Sequence, residues 1–281
     1  VSPATDSIQR HWKALLKKLA SAYPAPPSDA EHPPAPVTVI ASAVHATMLW
    51  EASQAQADAA LQQLTQHFAD HNDMRVALPS HLIHAIGPAY PLAVERVLRL
   101  KSWLSDLYRR STALDLEYLR DRSKADARRE LESLHGLPGF AAAHVVASSL
   151  GGHAVPIDDR LLALLKAERI GAAHLTSNDA MELLETVIRP DELSSVLRLL
   201  RAWSDLRGVP PRHEEAPAFQ PLQLAPLSPL DRAAKAALGE PASGKRKAAP
   251  KRSATKSAPR PRPSADAETP PTRPAKRGRS K

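Results

Sequence analysis

The chain has 281 residues, 43% of them hydrophobic and 4% aromatic, with 38 Lys and Arg against 30 Asp and Glu for a formal net charge of +8. Such a length buries one sizeable core or two small ones, built here mainly from Leu, Ala and Val. There is no cysteine, which excludes disulfides, Cys-ligated zinc and Cys-ligated iron–sulfur clusters.

In residues 1–23, Ile8, Trp12, Leu15, Leu16 and Leu19 recur at helical spacing, with Asp6 or Ser7 available as N-cap. This predicts an amphipathic helix that packs on the body of the protein. The N-terminus lacks an apolar signal segment, and no window approaches 18 uninterrupted apolar residues. A soluble, intracellular protein with no membrane partner is the expectation. Residues 24–36 are Pro-rich and read as a linker.

Residues 37–208 read as consecutive helices over 37–46, 53–69, 80–86, 91–108, 124–134, 141–150, 157–167, 178–188 and 192–206. The breaks carry turn chemistry: the His71-Asn72-Asp73 run, Leu78-Pro79, Gly87-Pro88, Gly151-Gly152, Pro190-Asp191 and Gly208. Alternating Val, Ile and Thr strands are missing, so the fold class is all-α. Asn72 and Arg75 are expected to build a turn and an ion pair.

Residues 209–240 form a second linker, and 241–281 a tail. The tail holds 13 Lys and Arg against Asp266 and Glu268, together with 8 prolines and no aromatic residue. Its charge is +11, which leaves −3 for residues 1–240. With so little apolar surface, disorder is expected. The clusters Lys245, Arg246, Lys247, then Lys251, Arg252, then Lys276, Arg277, Arg279 suit a tether to double-stranded DNA. A solubilising extension is the alternative.

Two features inside the helical domain carry possible chemistry. Gly136-Leu137-Pro138-Gly139 permits a tight positive-φ turn between two helices, whose backbone N–H groups suit a phosphate. Further on, Asp158 and Asp159 precede an Arg-Leu-Leu-Ala-Leu-Leu helix. By residue type alone they are an N-cap pair. The 12 histidines are scattered without metal-ligand spacing, so no metal is expected. His135, His144 and His153 read as structural hydrogen-bonders. There is no Gly-rich phosphate loop and no nucleophilic Ser motif.

Taken together, Leu137-Pro138-Gly139, Gly151-Gly152 and Ile157-Asp158 before that helix resemble the helix-hairpin-helix DNA glycosylase superfamily, specifically endonuclease III-like proteins. The Val37-to-Thr47 segment is similar to an early family helix, with His45 where the family has Gln. Residues 85–100 are similar to an Ile-Gly segment, with Leu92 in place of a lysine. The resemblance spans 37–170 and points to a bacterial branch of these proteins. It implies a helix-hairpin-helix glycosylase-like bundle with a disordered basic tail, acting on DNA as a monomer in the cytoplasm, on the nucleoid.

The resemblance also implies that Asp158 is the catalytic carboxylate, with Asp159 capping the following helix or favouring its dipole. Leu137, Pro138, Gly139, Phe140 and His45 are then the DNA-binding residues of the domain. Beyond His45 and Leu92, the chain departs from the family at and after the hairpin. A direct Phe140-Ala141-Ala142-Ala143 follows the hairpin in place of a further Gly and a polar segment. No amine stands at 142–144, where bifunctional members carry a nucleophilic lysine, and the four-cysteine cluster motif cannot form. The implied activity is a monofunctional DNA N-glycosylase of base excision repair, without cofactor. A non-catalytic DNA-binding or nucleoid-associated protein on the same scaffold is the alternative.

Overall fold

A computed structural model describes residues 3–23, 38–171, 174–208 and 219–221. The chain divides into two units, Val1–Leu224 and Ala225–Lys281, and every described residue belongs to the first. The residues of the basic tail lie outside the described residues.

The described residues form eleven α-helices and no strand. They are α1 (Pro3–Ala22), α2 (Val39–Leu49), α3 (Gln54–His67), α4 (His71–Val76), α5 (Pro79–Ile86), α6 (Ala93–Ser111), α7 (Lys124–Ser133), α8 (Gly139–Ser148), α9 (Asp159–Ala167), α10 (Ser177–Val187) and α11 (Leu193–Arg207). A 3₁₀ turn spans Glu117–Asp121.

The core forms around α2 and α8, which are apolar on nearly every side and therefore buried all round. They pack on each other. Ala43 and Ala46 on α2, with Ala141, Ala142 and Ala143 on α8, are fully buried, and side chains this small allow a close approach. Large residues fill the remaining space: Leu100, Trp103 and Leu104 of α6 have no exposed surface. The amphipathic helices α6, α9, α10 and α11 close the bundle with one apolar face each. As expected, the N-terminal helix packs on the body, with Trp12, Leu15 and Leu19 buried and α1 against α11.

Several expectations need correction. The helix α1 begins at Pro3, ahead of the cap positions 6 and 7 expected from the sequence. The run His71-Asn72-Asp73 is not a break. Asp70 caps α4 by accepting from the Asp73 amide at 2.8 Å, and Asp73 accepts from the amide of Ala69, the residue before the cap, at 3.2 Å. Asn72 and Arg75 accordingly lie on a helix and share neutral-acceptor hydrogen bonds of 2.8 and 3.1 Å, while the Arg75 guanidinium covers the Tyr108 ring at 4.1 Å. Of the two glycines in the hairpin, only Gly136 has positive φ, at +101°. Gly139 is already the first residue of α8, and its missing Cβ admits Asn178 Oδ1, which would stand 3.2 Å from one.

Candidate active site

The turn from α7 to α8, the start of α9 and the start of α10 meet at one cavity of about 330 Å³. Leu137, Pro138, Gly139 and Phe140 line it on the hairpin side, and Ile157, Asp158 and Asp159 on the side of α9. Trp50, Arg99, Ser177 and Asn178 complete the wall. Sequence elements 20 residues apart are thus brought together by the fold. The side chains of Leu137 and Phe140 are largely buried in the core. Pro138 at the N-cap of α8 offers no side-chain acceptor. The first-turn N–H groups of that helix are left without a capping side chain, which suits an anion.

Asp158 is 3% exposed and caps α9. One oxygen accepts from the Leu161 amide at 2.9 Å and the other from the Glu51 amide at 3.3 Å. Burial raises its carboxyl above the ordinary value, opposed by the positive charge of Arg201, the two N–H groups and Arg160. Asp159 does not supply the cap: it stands in the first turn, where its charge favours the helix dipole, and accepts a hydrogen bond from the Ser177 hydroxyl.

The residues that hold Asp158 carry no motif in the sequence. The loop after α2, Trp50 to Ser53, is gripped by the buried Arg96 and the half-buried Arg201. Arg96 of α6 donates to the carbonyls of Thr47 and Trp50, to that of Met48 at 2.8 Å and to that of Pro91 at 3.0 Å. Arg201 of α11 donates to Ala52 at 3.2 Å and Leu49 at 3.3 Å. Burial pushes the Arg96 guanidinium down to about 10 and Arg201 down as well. Glu51, fully buried at φ +56°, closes the circuit by accepting from the Asp159 amide at 2.7 Å. Trp50 and Asp158 are therefore fixed by the same clamp.

The remaining predicted residues are dispersed. His45 is not part of the cavity wall; its Nε2 lies 2.9 Å from Asp58 Oδ1 and its ring stands 6.2 Å from that of His144. Desolvation pushes His144 down to about 3, helped by His45 and Arg201, so its imidazole is neutral at physiological pH. His153 Nε2 donates to the Glu185 carbonyl at 2.9 Å and His135 Nε2 to that of Gln220 at 3.1 Å, both structural bonds. Lys245, Arg246, Lys247, Lys251, Arg252, Lys276, Arg277 and Arg279 lie outside the described residues. Among the described residues no cluster of His, Asp and Glu could hold a metal, and no helix is long and apolar enough to cross a membrane.

No family model and no curated protein matches the sequence. Solved structures do match the fold. A non-covalent endonuclease III–DNA complex superposes with a TM-score of 0.53 at 14% identity, covering 69% of this chain and 85% of the other. A trapped endonuclease III–DNA covalent intermediate with an estranged adenine gives 0.51 at 13% identity and the same coverage. The fold is thus shared with endonuclease III.

Proposed function

We propose that the protein is a base-excision-repair DNA glycosylase that takes a nucleotide everted from duplex DNA into the cavity of Trp50, Arg99, residues 137–140 and Asp158. The observation that carries this reading is the meeting of the hairpin turn and a desolvated carboxylate at one cavity, within a fold shared with endonuclease III. Cleaving an N-glycosidic bond develops positive charge on the sugar. The Asp158 carboxylate is preorganised by two N–H groups and shielded from water, so its charge acts at a low local dielectric on that cation and orients the attacking water.

The reaction stops at base removal. On α8, Ala142 and Ala143 are fully buried and His144 is a neutral imidazole, so the segment offers no amine for an imine with the sugar. The test is an excision screen on duplexes carrying different lesions, followed by product analysis. A released base with an intact abasic site, and no adduct trapped by borohydride, is the expected outcome. A trapped adduct overturns the monofunctional reading.

Residues 241–281 act as a tether to the same polyanion, and the protein works as a monomer on the cytoplasmic nucleoid. Full-length protein should bind undamaged duplex with a steep salt dependence, roughly 0.9 in log–log slope per phosphate neutralised. Removing 241–281 should flatten it. Equal slopes for the two proteins contradict the tether.

One observation favours a second reading, a non-catalytic DNA-binding scaffold. Both oxygens of Asp158 already accept backbone N–H groups, which is what a helix cap requires. A wild-type protein that binds DNA and releases no base from any lesion would establish that reading.

A further inference from the structure

Residues 219–221 fall within the stretch read from the sequence as a linker, yet they sit against the hairpin. The Phe219 ring lies 5.5 Å from that of His135 and covers the Arg99 guanidinium at 4.4 Å. The Gln220 carbonyl accepts from His135 Nε2 at 3.1 Å. Gly136 makes room for this contact: a Cβ there would stand 2.9 Å from Phe219 Cζ and 3.1 Å from the Arg99 carbonyl oxygen. The positive φ of the turn and the seat of the ring thus require glycine at the same position.

Arg99 is the positively charged residue among those lining the cavity. Glu95 holds its Nε at 2.9 Å and Nη2 at 2.8 Å, and the guanidinium also stands 5.1 Å from the Trp50 ring. Two aromatic rings and a carboxylate restrict the side chain, leaving the rest of its N–H edge for the cavity. A planar guanidinium held in this way matches phosphate geometry.

We propose that residues 219–221 are a clip that completes the site: Phe219 is a positioning residue that fixes Arg99 to meet the backbone phosphate of the everted nucleotide. This rests on the glycosylase reading for the identity of the ligand, while the clip itself rests on the contacts above.

The test uses the full-length protein and two short duplexes, one containing a tetrahydrofuran abasic analogue and one undamaged. Phe219→Ala and Arg99→Met should each lower the preference for the abasic duplex over the undamaged one about tenfold. The double variant should lose no more than Arg99→Met alone, because Phe219 acts through Arg99, and Phe219→Tyr should restore the preference. An unchanged preference in Phe219→Ala, or losses that multiply in the double variant, overturns the proposal. The Arg99 Nε–H resonance separates clip from function. If wild type shows no abasic preference, the glycosylase reading fails, and the resonance decides the clip. A ring-shifted signal that is lost in Phe219→Ala and kept in Phe219→Tyr sustains it; one signal common to all three overturns it.

Discussion

Replacing Arg96 by Met should cost about 3 to 5 kcal/mol of folding stability, although the new side chain fills a similar volume. Arg96 has no exposed surface, and its guanidinium supplies the donors for the carbonyls of Thr47, Met48, Trp50 and Pro91. A thioether donates nothing, so buried carbonyls lose their partners at about 1 to 3 kcal/mol each before relaxation. Tyr90 keeps a bond of 2.8 Å to the Met48 carbonyl and spares part of the loss. Arg96→Lys should fall between the two, because an ammonium keeps the charge and lacks the fork that reaches both Trp50 and Thr47. Urea unfolding measures the effect, and a loss below about 1 kcal/mol for Arg96→Met would show that the clamp carries little of the fold's stability.

The helices of the fold were legible in the sequence where an apolar stripe or an apolar run persisted for two turns or more, as in α6, α8, α9 and α11. Helix α4 was not, since it is six residues long and buries only Met74. Its one local signal was Asp70, which caps the helix by accepting from the Asp73 amide three residues on. At the site, Asp158 and the hairpin were legible because each has a short-range cause, a cap before an apolar helix and a glycine turn. The clamp was not. Glu51 meets Asp158 across 107 residues and Arg201 meets Ala52 across 149. Nor do Glu51 and Leu92, both in the left-handed region without being glycine, announce their backbone conformation. Phe219 was hidden for a related reason: a lone aromatic in a Pro-rich stretch has no periodicity, and only the folded hairpin supplies its seat.

Asp158→Asn should reduce base excision on the order of a hundredfold or more, the scale associated with losing one preorganised electrostatic group. The amide can still accept from Leu161 N–H at the cap, while the Glu51 N–H loses its acceptor, for about 1 kcal/mol. Folding and binding to undamaged DNA should therefore persist. The pH dependence has a defined sign. Burial raises the Asp158 carboxyl in the folded state above its unfolded value. The folded protein then holds that proton more tightly, so this group's contribution to stability declines as pH rises through the window between the two values. Activity runs the opposite way, because the ionised form is the one that stabilises the sugar cation. Wild-type excision should fall on acidification beginning above the ordinary carboxylate range, and the residual rate of Asp158→Asn should lack that limb.

The most direct measurement is single-turnover release of free base by wild type, Asp158→Asn and Asp159→Asn from a lesion duplex. Asp159 is the matched control, one residue along on the same cavity wall and bonded to Ser177. Release by wild type, near-complete loss in Asp158→Asn and a rate close to wild type in Asp159→Asn are expected, with all three binding undamaged duplex equally. Full activity in Asp158→Asn contradicts a catalytic role for its carboxylate, and a wild-type protein that binds DNA and frees no base from any lesion leaves Asp158 a helix cap and nothing more.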